Sequence, residues 1–377
     1  MTTPVDAHKH LHSEQGAMRA EHPGRSRNPV IKVRDLAWLE FEKPDLGRAE
    51  AFAREFGFAT VLHTADEVHL RGTDAGSPCV IIRRGPRSRF VGPAFAAQDK
   101  ADLARLADAT GRTTRPLPET IGGLAVQLTD PNGLPVRVVA GMGELAELPA
   151  QQPHIFNFGH ELRRTNATQR PPREPARVQR LGHLVMQSTR CMQSLNWYLD
   201  HLGLIVSDFM YYPGQRERGP VMSFTRCDRG STPADHHTLA IALGPSNRYL
   251  HSAYQVCDLD AIAAGGAHLS DLGYKRSWGI GRHIQGSQIF DYWRDPDGLM
   301  VEHFSDGDMF DNTLEPGWAP FTASGLAQWG PPATMDFLGV APGKEAVREL
   351  RSMLTAVRDD NEFGIARLRG LLKVARS

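Results

Sequence analysis

One pattern recurs four times along this 377-residue chain: a strand-like run, a helical segment, then three more short strand-like runs. The first copy reads LAWLEFE, the helix DLGRAEAFAREFG ended by Gly57, then ATVLHTA, EVHLRGT and PCVIIRR. The second reads RFVGPAFAAQ, the helix DKADLARLADATG with Asp99 as N-cap and Gly111 as C-cap, a run near 114–121, LAVQLTD and LPVRVVA. The third is LGHLVMQS, the helix CMQSLNWYLDHLG, LIVSDFMYY, VMSFTRC and HHTLAIAL. The fourth is YLHSAYQV, the helix DLDAIAAGGAHLSDLG, a strand before His283, SQIFDYWRD and LMVEHFSD. A repeat of roughly 50 to 65 residues with a fixed element order constrains the fold more than any single motif. One βαβββ unit leaves an exposed sheet edge, so two must pair to bury a common core. The chain is therefore predicted to be α+β, with four βαβββ modules paired into two domains. Each domain is a curved mixed sheet forming a cup, with helices packed outside.

The expected boundaries are a polar N-terminal arm at 1–32, a first domain at 33–142, a linker at 143–177, a second domain at 178–306, and a C-terminal lid loop with helices at 307–377. The linker is polar and Pro-rich, including RPPREPAR, and little structure of its own is expected there. The DPNG and DPDG segments read as turns between strands. His8, His10 and His12 alternate in the arm, yet a loose arm or a strap on a neighbouring subunit is the simpler reading. The tail loop GWAPFTASGLAQWGPPATMDFLG either closes over a cup or caps a sheet, and surface helices follow.

Composition removes several classes of function. Lys plus Arg and Asp plus Glu both number 43, so no net field points to nucleic acid or an anionic membrane. No apolar run is long enough for a transmembrane helix, and the first residues lack the apolar core of a secretory signal. Cys79, Cys191, Cys227 and Cys257 lie far apart with no CxxC pair, as expected of a reducing compartment. A cytoplasmic homo-oligomer is expected.

The repeat supplies an internal control for the chemistry. Aligning WRDPDGLMVEHF with LTDPNGLPVRVV sets Glu302 opposite Arg137; VQRLGHLVM with VRDLAWLEF sets His183 opposite Trp38; YLHSAYQ with RFVGPAF sets His251 opposite Gly92. The second domain thus offers His, His and Glu where the first offers Trp, Gly and Arg. Glu302 lies between apolar neighbours, where a carboxylate is costly unless paired or metal-bound. Two histidines and a carboxylate on separate strands can cover one face of an octahedral metal, leaving positions open, as in non-haem Fe(II) oxygenases.

These motifs resemble those of the type I extradiol ring-cleavage dioxygenases of the vicinal oxygen chelate superfamily. The matching text runs from about 33 to 306 and is densest between 181 and 304. The resemblance implies that His183, His251 and Glu302 are iron ligands. It implies that His237, fourteen residues before His251, is the acid–base histidine, with His236 turned to the opposite face. It further implies that His283 in GRH and Tyr292 in FDYW, nine residues apart and with Glu302 ten further on, contact the substrate or oxygen. Tyr292 is expected to donate a hydrogen bond to a substrate oxygen. The implied reaction is Fe(II)-dependent cleavage of a catecholic ring beside its vicinal diol by O2, with Mn(II) as the alternative metal. A metal-dependent isomerase or lyase on the same scaffold, or a small-molecule binding protein, are the competing readings. Arg180, Arg282 and Arg294 lie close enough to the motifs to meet an acidic substituent, or are simply solvated.

Overall fold

The computed structural model describes residues 14–18, 21–339 and 352–374. His8, His10 and His12 lie outside the described residues. After a short strand β1 (Glu14–Gln15), the first module comprises β2 (Asp35–Lys43), α1 (Leu46–Phe56), β3 (Ala59–His63), β4 (Glu67–Arg71) and β5 (Val80–Arg84). The second comprises β6 (Arg89–Ala96), α2 (Lys100–Thr110), β7 (Thr114–Pro116), β8 (Leu124–Thr129) and β9 (Pro135–Ala140). The third is β10 (Arg180–Ser188), α3 (Cys191–Leu202), β11 (Leu204–Tyr211), β12 (Met222–Cys227), the two-residue β13 (Ala234–Asp235) and β14 (Leu239–Leu243). The fourth is β15 (Arg248–Gln255), α4 (Leu259–Asp271), β16 (Lys275–His283), β17 (Ile289–Arg294) and β18 (Met300–Ser305). The tail adds β19 (Met309–Phe310), β20 (Gly317–Pro320), β21 (Ala327–Trp329) and a final helix, Ile365–Val374.

Modules one and two share a sheet of order β3-β4-β5-β2-β6-β9-β8-β7. Modules three and four share the order β11-β12-β14-β10-β15-β18-β17-β16, extended by β1 and β20 on one side and β21 on the other. In both sheets the opening strands of the two modules pair antiparallel at the centre, β2 with β6 and β10 with β15. Each module's last strand lies parallel to its first, which requires the intervening helix to cross over the sheet. The four-module α+β architecture is thus present.

Helix starts follow the sequence closely, with one exception. Asp45, Asp99 and Asp258 each accept a hydrogen bond from a first-turn N–H of α1, α2 and α4. Helix α3 follows Arg190, which makes no such bond. Its carboxylate comes from the tail: Glu362 accepts from the Met192 and Gln193 N–H groups at 2.7 and 3.0 Å.

The two DPxG turns join strands and also dock the two halves reciprocally. Lys43, at the end of β2, is buried against Asp295 and Asp297 of the DPDG turn, at 2.8 Å from the latter. At the equivalent corner of the other half, Ser188 and Ser194 hold Asn132 of the DPNG turn at 2.9 and 2.7 Å. The seam between them is aromatic: His303 of β18 stacks on Phe56 of α1 at 3.7 Å and donates to its carbonyl at 2.7 Å.

The described part of the arm lies on its own chain. Val30 and Val33 donate to the carbonyls of Asp200 and Leu202, and Val206 donates to that of Gly24. The tail both extends the sheet and crosses its mouth. β20 pairs with β11 and β21 with β16, at opposite sides, with only Phe321–Leu326 between them. Seven residue steps reach at most about 25 Å. Nine inter-strand intervals laid flat would span about 43 Å. The sheet is therefore curled into a cup whose two rims approach each other.

Candidate metal centre

Strand register brings the site together in a single row. His183 of β10 lies opposite Ala253 of β15, Ala253 opposite Glu302 of β18, Glu302 opposite Tyr292 of β17, and Tyr292 opposite Trp278 of β16. His251, two residues from Ala253, shares its face. Ala253 carries only a methyl group, leaving room between the imidazole and the carboxylate. Donor atoms of His183, His251 and Glu302 all lie within 4.8 Å of one another.

The electrostatics of this trio call for a cation. Glu302 is fully buried, and neither of its oxygens has a hydrogen-bond partner. The Nε2 atoms of His183 and His251 lie 3.2 and 3.3 Å from the same Oε2. Burial opposes ionisation of Glu302, but the two imidazoles outweigh it and hold the carboxyl well below its ordinary range. Burial lowers the His251 pKa, favouring a neutral ring with a lone pair to give. Two imidazole nitrogens and a carboxylate converging on one point, all buried, are a donor set that fits a divalent transition metal.

Two groups flank this set on opposite sides. The His237 ring lies 3.9 Å from that of His183, and Tyr292 stands edge-on to His251 at 5.1 Å. Burial first, then neighbouring His183, keeps His237 neutral, its pKa well below the usual value. His283 has a fixed tautomer. Its Nδ1 faces the Leu326 carbonyl at 2.7 Å, and a carbonyl only accepts, so the hydrogen is on Nδ1. Burial lowers its pKa to about 4, so Nε2 is bare and accepts from the Tyr292 hydroxyl at 2.8 Å. The Tyr292 hydroxyl thus has His283 as a hydrogen-bond partner.

His236 departs from the sequence reading. It does not turn to the opposite face: its Nδ1 lies 3.0 Å from the His237 Nδ1, and its Nε2 lies 2.7 Å from Asp208 Oδ2. Alternation fails here because the chain bends at His236 and Thr238, between β13 and β14. Asp208 was not singled out from the sequence, although it carries the same signal as Glu302, a carboxylate inside the apolar run LIVSDFMYY. The three arginines are all engaged with the chain: Arg180 with Asp235, Arg282 with Asp306, Arg294 with Asp336.

The first half repeats the row without the chemistry. Trp38, Ala94, Arg137 and Gln127 lie opposite one another in turn. Buried Glu40 accepts from Trp38 Nε1 at 3.0 Å, from Arg83 at 2.6 Å, and from Arg137. A guanidinium stands where the other half places a carboxylate.

Comparison with known proteins agrees with this geometry. Residues 180–303 match the Glyoxalase/Bleomycin resistance protein/Dioxygenase superfamily. These residues form a domain of that superfamily. Metapyrocatechase 2 of Cupriavidus necator is 28% identical over 321 residues, covering 83% of this chain and 95% of that protein. Biphenyl-2,3-diol 1,2-dioxygenase of Paraburkholderia xenovorans is 24% identical over 323 residues, covering 81% and 97%. Among solved structures sharing the fold are a homoprotocatechuate 2,3-dioxygenase from Arthrobacter globiformis and a Mn(II)-bound glyoxalase from Novosphingobium aromaticivorans. The first has TM-score 0.66 and 17% identity, covering 83% of this chain and 92% of that one. The second has TM-score 0.66 and 23% identity, covering 81% and 94%. His183, His237, His251, His283, Tyr292 and Glu302 all fall within the matched residues.

Proposed function

We propose that this protein is a non-haem Fe(II) extradiol dioxygenase that opens the ring of a catecholic substrate beside its vicinal diol, incorporating both atoms of O2. The observation that carries the reading is the fully buried Glu302, its oxygens without hydrogen-bond partners and faced by the Nε2 atoms of His183 and His251. The likeness to a metapyrocatechase and to two biphenyl-2,3-diol 1,2-dioxygenases, matched over 95%, 97% and 96% of their lengths, supports it. In this reading residues 33–142 are a domain without metal, 178–306 the catalytic domain, and 307–377 a lid with helices, after an arm at 1–32 and a linker at 143–177.

His183, His251 and Glu302 would hold the metal, with Mn(II) as the alternative. When bound, the iron supplies a centre at which a catecholate and dioxygen meet and exchange electrons. The chain supplies the proton handling. His237, held neutral, takes a hydroxyl proton from the substrate and returns it later in turnover. Tyr292 and His283 orient the substrate oxygens from the opposite side, and burial of the whole row keeps bulk water out. The four free cysteines suit a cytoplasmic location. A homo-oligomer completes the proposal.

A second reading is a metal-dependent isomerase or lyase, favoured by the likeness to the glyoxalase. One experiment separates them: anaerobic reconstitution with iron, then a panel of mono- and bicyclic catechols with oxygen uptake and product absorbance recorded. Stoichiometric oxygen uptake with a new visible product band is expected. Loaded protein that consumes no oxygen with any catechol would sink the reading.

A further inference from the structure

The hydrogen-bonded line behind His237 assigns work to two residues that no ligand role claims. Asp208 lies on β11 and His236 just after β13, both buried. A carboxylate only accepts, so the contact from His236 Nε2 to Asp208 Oδ2 puts a hydrogen on that nitrogen. The two Nδ1 atoms, 3.0 Å apart, then share one hydrogen between them. Only two neutral-His237 arrangements satisfy this. Either His237 carries the hydrogen on Nδ1 and presents a bare Nε2, or His236 carries it and His237 presents an Nε2–H.

We propose that Asp208 and His236 are positioning residues that set which nitrogen of His237 bears hydrogen: with Asp208 holding the His236 Nε2 hydrogen, the hydrogen between the two Nδ1 atoms lies on His237, which presents a bare Nε2 to the site.

The packing around His236 supports this positioning role. Its position is fixed on all sides: its N–H donates to the Asp308 carbonyl at 2.9 Å, its own carbonyl accepts from Ser207 Oγ at 2.5 Å, and Phe224 and Phe310 flank the ring. A Cβ at Gly286 would fall 2.9 Å from its Nδ1, so only glycine leaves the ring its place there. Asp208 has no other hydrogen-bonded partner for its buried Oδ1. The other charged groups nearby are turned elsewhere: Arg226 donates to Ser207 Oγ and to the carbonyls of Val206, Asp311 and Leu314, and Asp308 accepts from Ser287. Asp208 is thus a second buried carboxylate inside an apolar run, and its partner is the His236 ring nitrogen.

The inference rests on the ring-cleavage reading, and its test keeps the two apart. Iron-loaded wild type, Asp208→Asn, Asp208→Glu and His236→Gln are titrated anaerobically with 4-nitrocatechol, whose colour reports how many protons it has lost; metal content and turnover are measured in parallel. Wild type is expected to bind the dianion. Asp208→Asn is expected to bind the monoanion with unchanged metal content and a kcat lower by about 10²-fold, KM moving less than about threefold, while Asp208→Glu recovers most of the loss. Should Asp208→Asn not fold, His236→Gln carries the same expectation. A folded Asp208→Asn or His236→Gln protein with the wild-type band and turnover within about twofold overturns the inference alone. So does one whose loss comes with lost metal, which would make the dyad merely structural. A loaded wild type that neither changes the colour of nitrocatechol nor consumes oxygen overturns the ring-cleavage reading, and this inference with it.

Discussion

Arg137 and Glu302 occupy the same place in the two halves of the molecule: Arg137 lies opposite Ala94 on the neighbouring parallel strand, as Glu302 lies opposite Ala253. Arg137 neutralises Glu40 within its own half, whereas Glu302 has only imidazoles before it. The backbone excludes a ligand at Gly92 as well, since a Cβ there would lie 2.0 Å from the Pro135 carbonyl oxygen. Iron or manganese should therefore bind at one equivalent per chain. Anomalous diffraction should show a single peak, and a second peak near Trp38 and Arg137 would contradict the comparison. His251→Ala should reduce bound metal to background by elemental analysis.

Replacing His237 by Phe should keep metal content and substrate affinity while lowering kcat by about 10²- to 10⁴-fold, the range that a positioned acid–base group contributes. Single-turnover kinetics would check it. A His237→Phe protein with wild-type turnover removes this residue from the proton path.

Lys43 neutralises two carboxylates at the buried joint between the halves. Lys43→Met should cost about 3–5 kcal/mol in a denaturant titration, because Asp295 and Asp297 stay buried without their cation. Removal of an exposed pair such as Arg163–Glu161 should cost less than about 1 kcal/mol by the same measurement.

Helix α3 takes its cap from the tail. Glu362→Ala should destabilise the protein by about 1 kcal/mol and lower its Tm, the size of an ordinary N-cap loss. Asp45→Ala should cost α1 a similar amount, which calorimetry of the two variants can compare.

The seam at His303 makes stability depend on acid. Burial lowers its pKa from 6.5 to about 4, so the folded state binds this proton less readily than the unfolded chain does. The contribution is complete above about pH 6.5 and is lost as pH falls through about 4, amounting to about 3 kcal/mol. His303→Gln should remove this component, and the difference between the two stability curves between pH 7 and 4 tests it. A constant difference would contradict the assignment.

The four modules are legible because each carries its own turns, caps and apolar runs, and these are local. The His183, His251 and Glu302 set is legible because the repeat supplies three apolar-strand positions where only one half holds metal-type donors. Asp208 carries an equal signal, but its counterpart is His236, whose direction depends on a bend that strand alternation does not foresee. The reciprocal grip of the DPDG and DPNG turns on the other half also escapes sequence, since it exists only once two sheets have docked. The same holds for Glu362, a residue far along the chain that serves a helix lacking its own cap.

The six residues Phe321–Leu326 join the two rims of the cup, and the Leu326 carbonyl holds His283. β21, where this crossing ends, is registered to β16 at only two positions, Arg282 with Trp329 and His283 with Ala327. The short strand that completes the circumference of the sheet is thus bordered by the carbonyl that fixes the tautomer of His283, so the hydrogen bond between His283 and Tyr292 depends on the same crossing that closes the cup.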